Sequence, residues 1–213
     1  MFYFYIAIFI IGLLTGRLLK VFLKSRHRHN KPVIFLQYPF IEGITGVLFL
    51  LLLTRWGYSF EFFAMCLLAS LLIITFFMDF YYKIIPNEVV IVGIGAGIII
   101  QIYSGVTGHY GFYSGRMDGF LAALVACLLL VLIYIFSLLL FKGKEGIGMG
   151  DIKLYIPIGL FLGLKLTLLS LWIAMLSAGM LSMALLLKKK VNRTSSIPFG
   201  PFIVWGIFAG LFL

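Results

Sequence analysis

The stretch that decides the fold is FFAMCLLASLLIITFFMDF, residues 62–80, in which no charged side chain comes before Asp79. An apolar run of this length matches the roughly 20 residues that an α-helix needs to cross a hydrocarbon core of about 30 Å. Similar runs recur along the chain, which is 63% hydrophobic and only 11% charged, with a mean hydropathy of +1.16. Soluble domains carry about 25% charged residues. Soluble enzymes, disulfide scaffolds and disordered tails are therefore excluded.

The apolar runs predict an all-α protein, a polytopic transmembrane helical bundle of about eight spans that forms a single membrane-embedded domain over residues 1–213. The division of the last long run is the weakest, because only Gly163, Leu164 and Lys165 are available to turn the chain there. Seven spans is therefore the alternative. The eight predicted spans lie near residues 3–19, 40–54, 61–79, 87–105, 119–141, 152–164, 166–187 and 197–213.

Basic residues predict the orientation, because cytoplasmic loops carry the excess of Lys and Arg. With both termini outside, all of the 17 Lys and Arg residues except Arg55, Arg116 and Lys165 fall in or beside inner loops. Residues 20–38 then form a short basic cytoplasmic loop. We assign the net charge of +10 to loops that contact anionic lipids, and we expect no nucleic acid among the partners.

Asp79 ends the quoted apolar run among aromatic side chains, and the first basic residue after it is Lys83. Such surroundings exclude water from the carboxyl group, and a desolvated carboxyl can exchange protons near neutral pH, as acid–base catalysis requires. The alternative is an acid that caps a helix or reaches water at the membrane edge.

Asp151 ends a glycine-rich segment, GIGMGD, residues 146–151. Glycines at alternate positions let another backbone come close, so a substrate strand could lie beside this carboxylate. The alternative is a helix N-cap that follows a flexible loop.

Both aspartates fall on the inner membrane face in the orientation derived from charge. Two neighbouring carboxyls cannot both ionise cheaply, so one can deprotonate a water while the other protonates a carbonyl oxygen. This is aspartic-protease chemistry. We expect no metal, because His27, His29 and His109 lie in predicted loops and Cys66 and Cys127 lie in apolar runs without metal-ligand spacing.

Four segments of the chain carry a resemblance to a known family. They are YPFIEGIT (38–45), DFYYKIIPN (79–87), GMGDIK (148–153) and IPFGPF (197–202). In this order they resemble the motifs of the type IV prepilin peptidases, membrane aspartyl proteases that use a Gly-x-Gly-Asp aspartate.

The resemblance implies an aspartic endopeptidase of the cytoplasmic membrane. Such an enzyme cleaves type IV prepilins or pseudopilins at the cytoplasmic face, after the glycine that ends a short basic leader. It implies that Asp79 and Asp151 are catalytic. No cofactor is expected, except S-adenosylmethionine if the chain retains methyltransferase activity. The individual substrate and the oligomeric state stay open. The residues expected to bind substrate are Gly148, Gly150, Pro86, Asn87 and Glu42.

The interval after the first span departs from the family pattern. Typical bifunctional members have there a cytoplasmic domain with two Cys-x-x-Cys pairs, which is associated with methylation of the new N-terminus. Residues 20–38 contain no cysteine, and GRLLKV (16–21) stands where those members often read Gly-Ser-Phe-Leu-Asn-Val. We therefore expect a short form that lacks the zinc-binding domain, with processing that survives metal removal and with weak or absent methylation.

Two other functions fit parts of the sequence. One is a related Gly-x-Gly-Asp intramembrane protease with other substrates, although the Ile-Pro-Asn turn and the interval of 72 residues between the aspartates (151 − 79) favour the prepilin branch. The other is a small proton-coupled transporter, because paired inward carboxylates and glycine-interrupted helices also mark ion paths. Residues 1–105 and 106–213 share no motif pair, which argues against the internal symmetry of a transporter.

Overall fold

The computed structural model describes residues 2–25, 39–108, 115–140, 148–188 and 198–213. Across these ranges the chain forms seven α-helices and no β-strand, which confirms the predicted all-α class. The helices are α1 (Phe2–Ser25), α2 (Phe40–Trp56), α3 (Phe60–Tyr82), α4 (Asn87–Thr107), α5 (Asp118–Leu140), α6 (Met149–Leu187) and α7 (Gly200–Phe212).

Five of these helices, α1 and α3 to α6, are long and apolar enough to cross a membrane. Large apolar side chains such as Ile91, Leu132 and Trp172 are exposed on them. Soluble monomers avoid extended apolar surfaces, whereas lipid tails accept them. The chain is therefore a multi-pass membrane protein. The count of eight spans and the outward position of both termini stay predictions.

The chain divides into two compact units, Met1–Phe77 and Met78–Leu213. In the first unit, α1 packs along α2 through small residues. A Cβ added to Gly12 would lie 2.6 Å from the Cα of Gly46, and a Cβ added to Gly16 would lie 2.6 Å from the Cα of Glu42. Small residues one turn apart let membrane helices approach closely. Lys20 Nζ and Glu42 Oε1 then form an ion pair at 3.0 Å.

The predicted loop 20–38 begins later than expected. Helix α1 continues to Ser25, so residues 20–25, which the sequence assigned to the loop, are helical. Lysines on this last stretch have long side chains that reach polar groups while the backbone stays helical, and a base such as Lys24 near a helix C-terminus is favourable towards the helix dipole. Residues 26–38 lie outside the described part of the chain.

In the second unit, α6 packs against α4, α5 and α7, and it is divided at Gly163. Gly163 has φ 71° and ψ 176°, a left-handed φ that favours glycine. The Tyr155 hydroxyl lies beside the Ser170 side chain. A straight helix would separate these residues by about 22 Å. The two segments of α6 therefore fold back side by side, and the chain turns at Gly163, as the sequence predicted.

Two polar side chains hold the ends of this turn. The first N–H groups and the last C=O groups of a helix have no partner within the helix. Gln101 of α4 donates Nε2–H to the Leu160 carbonyl at 3.3 Å, and Asp118 of α5 accepts the Leu164 N–H at 3.3 Å. Both side chains are buried. We call Gln101 and Asp118 the turn clasp, because they join the turn to α4 and α5.

Candidate active site

Asp79 lies in the last turn of α3, and only 6% of its surface is exposed. Its Oδ2 accepts a hydrogen bond of 2.6 Å from the backbone N–H of Gly200, the first residue of α7. A helix N-terminus presents N–H groups without helical partners and the positive end of the helix dipole. The start of α7 is therefore a favourable partner for a negative charge on Asp79.

Asp151 is the third residue of α6 and is also 6% exposed. Its Oδ2 accepts a hydrogen bond of 3.2 Å from the backbone N–H of Gly148, the residue that precedes the helix. An acid at the third helical position commonly makes this bond. Asp151 therefore does cap its helix, as the alternative interpretation expected, but a cap does not require a position this deeply buried.

The two carboxyl groups are neighbours in space. Asp79 and Asp151 lie close enough for their charges to interact, although 72 residues (151 − 79) separate them along the chain. Each receives an N–H from a different helix N-terminus, α7 for Asp79 and α6 for Asp151. Two helix N-termini therefore converge on one pair of buried carboxyls, an arrangement that offsets part of the cost of negative charge there.

The link between α3 and α4 belongs to the segment DFYYKIIPN (79–87), and it lies against the segment GMGDIK (148–153). A Cβ added to Gly150 would lie 3.3 Å from the Cβ of Ile85, which belongs to this link. The close approach that glycine permits at position 150 is thus made by Ile85. Gly148 is equally close to the site, because a Cβ there would lie 3.1 Å from Asp151 Oδ2.

The same link explains where the other residues of the first motif lie. Lys83 follows α3 in a left-handed conformation, φ 54°, and donates its N–H to the carbonyl of Asp79 at 2.9 Å, which ends the helix. Pro86 is buried and extended immediately before α4, and Asn87 is the exposed first residue of that helix. The aspartate therefore leads directly into the turn that Pro86 and Asn87 form.

Glu42 lies in the first unit, where it pairs with Lys20, so its predicted contact with substrate is not decided by this geometry. Among the residues that the structure describes, no group of three or more His, Cys, Asp or Glu side chains could hold a metal ion. His27, His29 and His109 lie outside those residues, so the expected absence of a metal stays a prediction.

Gly200 is the residue of the site to which the sequence assigned no role. A Cβ at this position would lie 2.8 Å from Asp79 Oδ2, so the close contact with the carboxyl requires glycine. The signal was present in the segment IPFGPF, residues 197–202, because proline in the first turn and a small residue before it are typical of a helix start. What the segment did not reveal was that this helix start lies on Asp79.

Comparison with known proteins finds a match to the part of the chain that contains both aspartates. A family model described as the type IV leader peptidase family matches residues 66–183, which is more than half of the chain and includes both aspartates. No solved structure matches the chain significantly.

Several curated relatives carry the name prepilin leader peptidase/N-methyltransferase. The chain is 28% identical over 192 residues to that of Xanthomonas campestris pv. campestris, a match that covers 87% of this chain and 63% of the relative. The Bacillus subtilis protein is 29% identical over 187 residues, which cover 87% of this chain and 70% of that relative. The Aeromonas salmonicida protein is 28% identical over 187 residues, which cover 86% of this chain and 60% of that relative. The chain thus spans less than two thirds of the length of the first and third of these relatives.

Proposed function

This chain belongs to the type IV leader peptidase family, and from that membership we propose that it is an aspartic endopeptidase that processes type IV prepilins or pseudopilins. Cleavage would follow the glycine that ends the short basic leader, at the cytoplasmic face of the membrane. The observation that supports this proposal most directly is the pair formed by Asp79 and Asp151, two buried carboxyl groups whose charges interact and which each accept a backbone N–H.

In the proposed reaction the carboxyl pair shares one proton. The ionised carboxyl takes a proton from a water molecule, whose oxygen forms a bond to the scissile carbonyl carbon, while the neutral carboxyl gives its proton to the carbonyl oxygen. The intermediate then has two hydroxyl groups on the former carbonyl carbon. Asp79 and Asp151 are not assigned individually, because a coupled pair titrates as a unit.

The second half of the reaction restores the pair. The carboxyl that took the proton from water gives it to the leaving nitrogen as the C–N bond breaks, and its partner removes a proton from one hydroxyl of the intermediate. The products are a carboxylic acid and an amine, and each aspartate ends in its starting state. Neither a metal ion nor a nucleophilic side chain is required by these steps.

The hydrogen bonds of the two carboxyls support this role physically. The N–H of Gly200 orients one oxygen of Asp79, and the N–H of Gly148 orients one oxygen of Asp151. Acid–base catalysis gains from such fixed geometry, because the reacting groups do not have to be ordered again during the reaction. The second oxygen of each carboxyl would then serve the water and the substrate carbonyl.

We also propose that processing needs no zinc domain and that methylation of the product is weak or absent. The chain's two cysteines, Cys66 and Cys127, lie on α3 and α5. The interval 20–38 therefore offers only His27 and His29 as customary zinc ligands, whereas a structural zinc site takes about four. The residues present do not fit such a site.

The test is a cleavage assay with the purified full chain in detergent or lipid vesicles. The substrate is a peptide with a short basic leader ending in glycine, followed by an apolar helix, and the products are read by mass spectrometry. A single cut after the glycine is expected, and replacing that glycine by leucine should prevent it. An intact substrate at all enzyme concentrations, together with proton uptake into vesicles that contain the chain, would replace the peptidase by a transporter.

A further inference from the structure

A tyrosine lies one helical turn beyond the Gly-x-Gly-Asp aspartate. Tyr155 and Asp151 are four positions apart on the first segment of α6, a spacing that places side chains on the same face. Tyr155 has no exposed surface, and its hydroxyl interacts electrostatically with the Asp151 carboxyl. A dissociable O–H group is therefore buried near Asp151.

The hydroxyl of Tyr155 also lacks a well-formed hydrogen bond, although the Ser170 side chain lies within its reach. Within the part of the chain that the structure describes, no atom meets it with good hydrogen-bond geometry. Most buried polar side-chain atoms have a partner in the protein or an ordered water. A buried hydroxyl without one lowers the stability of the fold. Phenylalanine would fill nearly the same volume without that cost, and Phe161, six positions further along the same segment, is an example of a buried phenylalanine there.

The second segment of α6 supplies a matching group. Ser170 is buried, and its side chain lies beside the Tyr155 hydroxyl because α6 folds back at Gly163. Ser170 Oγ donates its own proton to the Thr167 carbonyl at 2.8 Å. Its oxygen lone pairs are then oriented to accept. A serine acceptor and a carboxyl thus both lie near the buried tyrosine hydroxyl.

We propose that Tyr155 and Ser170 bind one ordered water molecule that is hydrogen-bonded to Asp151, and that Tyr155 is thereby a positioning residue of the aspartate pair. Buried waters typically make about three hydrogen bonds to otherwise unsatisfied groups. The Tyr155 hydroxyl, the Ser170 hydroxyl and the Asp151 carboxyl are three such groups. The water donates to one lone pair of the Asp151 oxygen that does not accept the Gly148 N–H, and the other lone pair of that oxygen stays available to exchange a proton with the substrate or the attacking water.

The decisive variant is Tyr155→Phe in the full-length chain, because it removes one oxygen and keeps the ring. We expect kcat to fall about 10- to 100-fold with an unchanged KM, the loss that corresponds to one hydrogen bond to a charged group. Ser170→Ala should lower kcat similarly, and the double variant should lose little more than either single variant, because both remove the same water. Tyr103→Phe, at an exposed tyrosine of α4, is the matched control and should keep wild-type activity.

Infrared spectroscopy separates this role from packing. The carbonyl band of the protonated carboxyl pair, identified by its loss in Asp151→Asn, should move to higher frequency in Tyr155→Phe, because the carboxyl loses a hydrogen bond. An unmoved band, or a wild-type kcat, would overturn the proposal. Since the kinetic readout rests on the proposed peptidase function, a wild-type chain that cleaves no prepilin-type substrate would refute that function alone, and the band would still decide on Tyr155.

Discussion

The backbone N–H of Gly200 lies 2.6 Å from Oδ2 of Asp79, across 121 positions of the chain. This bond brings the N-terminus of α7 onto the carboxyl that ends α3. It makes the start of the last described helix a part of the site, although that start contains no acid, base or nucleophile. A backbone amide is suited to this role because it cannot titrate and its direction is set by the helix.

We expect Asp79→Asn and Asp151→Asn each to abolish cleavage while the protein stays folded and inserted. The amide keeps the shape of the carboxyl but cannot exchange a proton, and each half of the reaction needs both carboxyls. The measurement is cleavage rate at matched protein levels, with Glu88→Gln, an exposed acid in the first turn of α4, as control. Appreciable residual cleavage in either aspartate variant would exclude the pair as the catalytic group.

Gly200→Ala should lower activity at least tenfold. The added methyl would lie 2.8 Å from Asp79 Oδ2 and 2.9 Å from Asp79 Cβ, so the carboxyl or the helix start must move. A misplacement of about 1 Å can cost 10²-fold in rate. The control is Gly95→Ala in α4, where a Cβ would meet no atom within 4 Å and helix propensity improves. Equal activities for the two variants would show that the Gly200 contact is not needed.

Gly150→Val should impair cleavage more than Gly146→Val. At position 150 a Cβ would already lie 3.3 Å from the Cβ of Ile85, so the branched methyl groups of valine must displace the link that follows Asp79. A second change tests this cause: Ile85→Ala should restore part of the activity of Gly150→Val by removing the obstructing side chain. No recovery in the double variant would mean that the valine obstructs something other than Ile85.

Loss of the turn clasp should destabilise the fold more than the site. Asp118→Ala removes the acceptor for the Leu164 N–H and should reduce the free energy of unfolding by about 1–2 kcal/mol, the usual cost of a lost N-cap. Asp118→Asn retains an acceptor oxygen and should lose less. Thermal unfolding of the purified chain in detergent compares the two, and an identical loss for alanine and asparagine would show that the hydrogen bond contributes nothing.

Metal chelators should leave cleavage unchanged, and methylation should be weak. The expectation follows from the missing thiolates in residues 20–38 and from a reaction in which the aspartates transfer every proton. Incubation of the purified chain and substrate with S-adenosylmethionine, followed by mass spectrometry of the product, measures how much of the product is methylated. Efficient methylation would place a transferase site in the membrane helices and would separate that activity from the cysteine-containing domain.

The sequence by itself determined the helical membrane class and the identity of the two aspartates as candidates. Both are local properties. The length of an apolar run decides whether a helix can cross a bilayer, and acids beside an aromatic cluster or a glycine repeat stand out against an apolar background. The break at Gly163 was the weakest of these predictions, because only Gly163, Leu164 and Lys165 were available to turn the chain between two nearly continuous apolar runs.

Other features could not be predicted from local sequence patterns. The sequence placed the first span near residues 3–19, whereas helix α1 reaches Ser25, because a run of hydropathy marks where a helix leaves the apolar layer and not where its hydrogen bonds stop. Glu42 was placed at the substrate from a motif alone, and its partner Lys20 became evident only when α1 and α2 were seen packed together.

Only the tertiary structure decided which groups meet. The Gly200 amide on Asp79, Ile85 against Gly150, the turn clasp on α6 and Tyr155 beside Ser170 all join residues that are far apart in the chain or separated by a turn. A helix specifies its own backbone hydrogen bonds within four residues, so its sequence carries a clear local signal. Contacts between helices depend on which faces pack and at what depth, and many side chains satisfy the same apolar requirement. The aspartates could therefore be found one at a time from sequence, but their pairing and its support are consequences of helix packing.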